Sequence, residues 1–109
     1  MNAILSVVEE KDKYVVKFDM NGKTTVLEDA SVSKKGKKEK EILRGLDKGL
    51  SKILNQITHE DVLYITLKDK NVYNILEEFK TKDSSLNLYL QKVDYLLNNM
   101  TGRYKITLE

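Results

Sequence analysis

The chain of 109 residues contains no cysteine, a single histidine and only two arginines. Without cysteine there is no disulfide bond, no thiolate metal site and no cysteine nucleophile. His59 alone excludes a metal site built from several histidines, and any mechanism that requires two of them. Arg44 and Arg103 leave almost no capacity for bidentate recognition of bases or phosphates by guanidinium groups.

Long apolar runs are also missing. No stretch approaches the ~20 apolar residues that a membrane-spanning helix needs. The first residues, MNAILSVVEEKDK, lack the basic lead and the long apolar segment of a signal peptide. We therefore expect a cytoplasmic protein that does not contact membranes.

The composition is that of an ordinary folded chain, with 40% hydrophobic and 33% charged residues. Its length predicts one domain over residues 1–109 that buries a single core. The net charge is only +2, so any electropositive surface must come from local clusters of lysine.

The first third of the chain predicts an antiparallel meander of three strands, at residues 3–10, 14–20 and 23–32. Asn21 and Gly22 separate the second strand from the third. They supply the two positive φ angles that a type I′ hairpin turn needs.

A long helix is predicted at residues 37–56. One apolar stripe runs along it at steps of 3, 4, 3 and 4, formed by Leu43, Leu46, Leu50, Ile53 and Ile57. Gly45 and Gly49 lie beside this stripe, and each costs up to ~1 kcal/mol of helix propensity. We therefore expect the helix backbone to pack closely on the sheet at these glycines.

The second half predicts a strand, two helices and a closing strand. Residues 61–67, DVLYITL, are almost continuously apolar, which is typical of a central parallel strand covered on both faces. A short helix is expected at residues 70–80, followed by one that Ser84 or Ser85 caps and that Gly102 ends at its C′ position. Tyr95 lies off the apolar stripe of that last helix and is expected at the surface.

The resulting order, βββ-α-β-α-α-β, predicts an α/β (α+β) fold with a mixed sheet and helices packed on it. Three segments carry a family resemblance: KKEKEILRGLDKGLSKIL, LYITLKDKNVYNIL and LNLYLQKVDYLLNNMTGRYKITLE. In this order they resemble the ribonuclease H-like fold of RNase H and the retroviral integrase superfamily. The resemblance implies that Asp69 holds the position of a catalytic aspartate and Glu41, or alternatively Glu39, that of the catalytic glutamate.

The chain departs from the family pattern at other catalytic positions. The first strand, AILSVVEE, has no aspartate, and Ser6 or Glu10 is its nearest polar residue on one face. Lysines flank Asp69 on both sides, and the sequence ends at Glu109, before the family's histidine and last aspartate would follow. We therefore expect a catalytically degenerate member of this family.

Two-metal hydrolysis of a phosphodiester needs several carboxylates around cations about 3.5–4 Å apart. Glu41, Asp69 and Glu10 form at most an incomplete set, so we expect no metal or other cofactor; magnesium or manganese would enter only if the protein were a nuclease. The alternative is that Glu41 and Asp69 only stabilise the N-terminal ends of helices.

A lysine-rich loop precedes the long helix. Its members, which we call the lysine loop, are Lys34, Lys35, Lys37, Lys38 and Lys40. In the resembling family this loop reaches nucleic acid, and lysines can follow a phosphate backbone as point charges. A solubilising surface remains an equally good interpretation.

Three functions stay open on the sequence. The first is a domain that binds nucleic acid without cleaving it. The second is a protein-interaction module, such as a phage-type inhibitor or adaptor of a host protein. The third and weakest is a metal-dependent nuclease. The sequence indicates no particular oligomeric state.

Overall fold

Six strands and three α-helices make up the structure, a computed structural model that describes residues 1–109. The strands are β1 (Asn2–Glu9), β2 (Lys13–Met20), β3 (Lys23–Val26), β4 (Val32–Ser33), β5 (Val62–Leu67) and β6 (Arg103–Leu108). The helices are α1 (Lys38–Ile53), α2 (Lys70–Glu78) and α3 (Asn87–Asn98). Short 3-10 turns lie at Glu28–Ala30, Leu54–Gln56 and Ser84–Leu86. None of the helices has the length and apolar character that crossing a membrane requires.

One mixed sheet contains all six strands in the order β3-β2-β1-β5-β6, with β4 paired to β2. β2 is antiparallel to β1 and to β3, whereas β5 is parallel to β1 and to β6. The predicted mixed sheet with a central parallel strand is confirmed, since β5 lies between β1 and β6 and is parallel to both.

The predicted third strand, residues 23–32, is wrong in extent. The chain leaves the strand after Val26, makes the 3-10 turn at Glu28–Ala30 and pairs with β2 again at β4. The Ser31 hydroxyl favours this break, because it accepts from the Val16 N–H and donates to the Leu27 carbonyl, bonds that a continuous ladder would otherwise make. The detour also buries Ala30 completely.

The hairpin between β2 and β3 is as predicted. Asn21 has a φ of 58° and Gly22 a φ of 74°, the left-handed pair of a type I′ turn.

Helix α1 packs across β1 and β2 through the predicted stripe, whose last member, Ile57, follows the 3-10 turn after the helix. Every member of the stripe is at most 2% exposed. Gly45 and Gly49 make the predicted close approach to the sheet. A Cβ atom at Gly49 would lie 2.9 Å from Val16 Cγ1, and one at Gly45 would lie 3.2 Å from Val16 Cγ2. The two glycines therefore set how closely α1 lies on the sheet.

The core lies between the helices and one face of the sheet. In β5, Leu63, Ile65 and Leu67 are buried, while the alternate residues Val62, Tyr64 and Thr66 are partly exposed. The prediction that this strand is covered on both faces is therefore wrong. The helices pack on the face that carries the buried residues. Buried and partly exposed residues therefore alternate along β5, although its sequence is almost continuously apolar.

Two predicted helix ends are also wrong. No side chain caps α3; Asp83, rather than Ser84 or Ser85, caps the 3-10 turn before it, where its Oδ1 accepts from the backbone N–H and the hydroxyl of Ser85. Gly102 does not end α3, which stops at Asn98. A Cβ atom at Gly102 would lie 2.5 Å from the Thr58 carbonyl oxygen, so this glycine permits close packing of two backbone segments instead.

Candidate functional site

The carboxyl ends of β1 and β5 meet at one edge of the sheet because the two strands are parallel neighbours. The N-terminal end of α1 reaches the same edge, since β4 pairs with the beginning of β2 just before α1 starts. A cavity of about 230 Å³ opens there. Its lining residues are Val7, Glu9, Tyr14, Lys38, Ile42, Leu67, Lys68 and Asp69.

A lysine ammonium lies between two carboxylates in this cavity. Lys38 Nζ is 3.2 Å from Asp69 Oδ2 and 3.8 Å from Glu9 Oε1. Lys34 Nζ approaches Glu9 from the other side, at 2.7 Å from Oε2. The acids at the ends of β1 and β5 are thus joined by cations that the chain itself supplies.

These contacts favour the charged forms of Glu9 and Lys38. The pKa of Glu9 is lowered, chiefly by its hydrogen bond to Lys34 and then by the charge of Lys34, with Lys38 contributing less. The pKa of Lys38 is raised, first by its hydrogen bond to Asp69 and then by the charges of Asp69 and, more weakly, Glu9. At neutral pH the cavity therefore contains ion pairs.

The three candidate catalytic residues are not brought together. Asp69 lines the cavity, but Glu10 lies in the exposed turn after β1, where only its backbone carbonyl receives a bond from Lys34. Glu41 is 4% exposed and does not line the cavity; its Oε1 accepts from Arg44 Nη1 at 2.8 Å. Glu41 stands in the first turn of α1 without making a capping hydrogen bond, whereas Asp69 caps α2 by accepting from the Val72 N–H.

Glu9 is the site residue that the sequence reasoning missed. It lies in β1 on the same face as Leu5 and Val7, which are buried beneath the helices. The period of two in the strand was the available signal, because the apolar face of β1 ends at residue 9 and not at residue 10.

The residues present do not fit a divalent metal ion. Magnesium and manganese prefer several oxygen ligands, and no group of three or more acidic, histidine or cysteine side chains in residues 1–109 could hold one. Asp69 Oδ1 is also engaged with the Val72 N–H at 2.9 Å. The Lys38 ammonium would repel a cation placed between Glu9 and Asp69.

Most of the lysine loop is held in contacts within the chain. Lys34 pairs with Glu9, Lys37 with Asp83, and Lys38 with Asp69. The Lys37 contact, together with hydrogen bonds from Ser85, lowers the pKa of Asp83 to about 2. Lys35 and Lys40 have no carboxylate partner, although Lys40 Nζ lies 5.8 Å from the centre of the Tyr89 ring.

Lysines without an ion-pair partner cluster at this edge of the sheet. They belong to the β1–β2 turn and the first residue of β2, to the lysine loop, and to the segment that runs from β5 to the first residue of α2. We call them the free-lysine edge: Lys11, Lys13, Lys35, Lys68 and Lys70, all of them exposed. Lys11 and Lys13 did not stand out in the sequence, because only strand pairing brings their turn beside the lysine loop.

No protein-family model and no curated protein matches the chain. Among solved structures, the chain is similar to the N-terminal RNase H domain of Rv2228c from Mycobacterium tuberculosis, determined as a fusion with maltose-binding protein. The TM-score is 0.71 at 14% sequence identity, over 100% of this chain and 87% of the other. The chain therefore has a ribonuclease H-like fold, as its sequence predicts.

Proposed function

We propose that the domain binds nucleic acid at the free-lysine edge and does not cleave it. The observation that carries this proposal is the position of Lys38, whose ammonium pairs with both Glu9 and Asp69. The acids that could have held a metal ion are neutralised by a tethered cation.

Absence of cleavage follows from the chemistry of the reaction. Hydrolysis of a phosphodiester requires stabilisation of charge on both the attacking and the leaving oxygen, which two metal ions supply in two-metal sites. A lysine ammonium has a single charge and cannot generate a hydroxide nucleophile by lowering the pKa of a bound water as a metal does. Lys38 is already engaged by two carboxylates, so little of its charge is available to a phosphate.

Binding is supported by the distribution of free charge. The five lysines of the free-lysine edge have no internal partner and lie around the end of the sheet where β1 and β5 stop. Lysine binds phosphate as a flexible point charge, and phosphate contacts give affinity without base specificity. The similar solved structure is an RNase H domain, which makes nucleic acid the first partner to test.

The test is a titration of fluorescently labelled RNA–DNA hybrid, duplex DNA and single-stranded RNA, followed by anisotropy at several salt concentrations. For duplex DNA we expect log K to fall with log salt at a slope of about −0.9 per neutralised phosphate. Replacing Lys35 and Lys68 with alanine should weaken binding to all sequences alike and flatten the slope by up to about 2.

Lys23→Ala is the matched control. Lys23 is exposed and is the first residue of β3, paired with Met20 at the opposite end of β2 from the free-lysine edge, so its removal should leave the salt slope unchanged. If the wild-type protein binds none of these nucleic acids at low salt, the proposal is wrong, and the protein-interaction module becomes the leading function.

A further inference from the structure

Helix α3 presents two large apolar side chains to solvent. Leu88 is 56% exposed and Tyr95 is 64% exposed, the latter as its sequence position predicts. The other strongly exposed large apolar residues, Met1, Ile4, Val26 and Leu108, all lie in the strands or at the N-terminus. Leu88 and Tyr95 are seven residues apart and therefore share one face of the helix, two turns from each other.

The surroundings of these two side chains form a shallow groove of about 270 Å³ between α3 and α1. Gln91 lies between them along the helix, Lys92 and Leu96 line the groove from α3, and Asp47 lines it from α1. Neither Asp47 nor Lys92 has an ion-pair partner in residues 1–109; the Lys92 ammonium lies only over the Tyr89 ring, 5.4 Å from its centre.

This surface is complementary to itself under a two-fold rotation. If two α3 helices pack antiparallel, Leu88 of one copy meets Tyr95 of the other, and each contact occurs twice. Gln91 then lies near the axis, where a primary amide can both donate to and accept from its own copy. Asp47 and Lys92, one acid and one base on the same groove, can each pair with the opposite residue of the second copy.

We propose that a second copy of this chain docks on the Leu88–Tyr95 face of α3, forming a two-fold symmetric dimer. This inference does not rest on the proposed nucleic-acid binding. A helix of 12 residues is only about 18 Å long. The contact is therefore smaller than a standard stable interface, and the dimer is weak and concentration-dependent.

The first experiment is sedimentation equilibrium of the purified full chain at roughly 10 to 500 µM, the range in which a weak dimer forms. The average mass of the wild type should rise toward twice the monomer mass. Tyr95→Glu and Leu88→Glu should each weaken self-association at least tenfold. Each substitution places two charges in the apolar centre of the interface, one from each copy of the chain.

Ile4→Glu is the matched control, an equivalent change at a residue 40% exposed on the sheet face away from the helices. It should leave self-association unchanged. Circular dichroism checks that each variant keeps its fold, which is expected because the substituted side chains are exposed. A wild type that remains monomeric at all concentrations overturns the proposal, and so does a dimer that both α3 variants leave intact.

A charge exchange tests the orientation. Asp47→Lys and Lys92→Glu should each weaken the dimer about threefold to tenfold at low salt, since two symmetry-related pairs are lost. The double variant should recover most of the wild-type association, because the pairs re-form with the charges exchanged. If the double variant loses as much association free energy as the two single variants lose together, the two-fold arrangement is wrong.

Discussion

At the scale of single residues, the position of one ammonium group distinguishes this site from a metal site. Glu9 and Asp69 approach each other because β1 and β5 are parallel neighbours, and Lys38 reaches them from the first turn of α1. A lysine at this point removes the requirement for a metal ion to offset the repulsion between the two acids. The contact also fastens α1 to the end of the sheet.

Single atoms decide the effect of substitutions at the glycines of α1. Alanine in place of either glycine gains up to about 1 kcal/mol of helix propensity. At Gly49 the added Cβ would lie 2.9 Å from Val16 Cγ1 and 3.3 Å from Leu5 Cδ1, so overpacking outweighs this gain. We expect Gly49→Ala to lower the free energy of unfolding by about 1–2 kcal/mol.

Gly45→Ala is the comparison, because its Cβ would lie 3.2 Å from a single Val16 methyl and at ordinary distances from its other neighbours. The free energy of unfolding of Gly45→Ala should stay within about 0.5 kcal/mol of that of the wild type. Urea unfolding measures both, and a Gly49→Ala protein more stable than Gly45→Ala would contradict the packing described.

At the scale of elements, short polar contacts hold the loops that connect the helices to the sheet. Asp69 caps α2, Asp83 caps the turn before α3, and Lys37 links that turn to the N-terminal end of α1. These contacts place the lysine loop between α3 and the end of the sheet. Three of its five lysines are also engaged in ion pairs within the chain.

The Asp83 contacts predict a specific dependence on pH. The pKa of Asp83 is lowered from 3.8 to about 2 in the folded state, chiefly by the Lys37 hydrogen bond and then by those from Ser85. A lowered pKa means that the ionised carboxylate adds stability above its ordinary pKa, and that this contribution is lost as pH falls toward 2. The stability difference between wild type and Asp83→Ala should therefore shrink as pH falls from about 5 to 2.

Asp83→Asn separates the two roles of this side chain. Its amide oxygen can still accept from the Ser85 N–H, but it carries no charge for Lys37. We expect Asp83→Asn to lose the pH-dependent part of the stabilisation that Asp83 contributes. It should still be more stable than Asp83→Ala at neutral pH. Urea unfolding at several pH values measures this, and a difference that stays constant between about pH 5 and 2 would argue against the Lys37–Asp83 pair.

At the scale of the whole molecule, the ribonuclease H-like fold brings carboxylates to the expected end of the sheet, but not the number that a metal site needs. The helices occupy one face of the sheet, and the free lysines surround the end where the parallel strands stop. The fold thus provides a basic edge beside a cavity filled by ion pairs.

The corresponding prediction is that purified protein does not cleave RNA–DNA hybrid, duplex or single-stranded nucleic acid in magnesium or manganese. The physical reason is the ion-paired state of Glu9 and Asp69, which leaves no set of carboxylates for two cations. Gel analysis of labelled substrates measures it. Metal-dependent cleavage that disappears in both Glu9→Gln and Asp69→Asn would overturn it, whereas cleavage that survives both changes would indicate a contaminant.

Local patterns in the sequence were enough to predict the elements that depend on them. The stripe of α1, the Asn21–Gly22 turn, the Asp69 cap and, apart from the break between β3 and β4, the order of strands and helices follow from periodicity and turn chemistry. These act over a few residues. The close approach of Gly45 and Gly49 could also be inferred, because glycine inside a helix is costly without a packing reason. Glu9 could also be predicted from the period of two in β1, because it follows Leu5 and Val7 on the buried face.

Which of these residues come into contact depends on the folded chain as a whole. Lys38 lies between Glu9 and Asp69 because strand pairing brings together segments far apart in the chain. The turn that carries Lys11 lies beside the lysine loop for the same reason. Whether β5 is covered on one face or two depends on where the helices pack, which its apolar run does not encode. Contacts of this kind depend on register and on the paths of loops, so they arise only when the whole chain has folded.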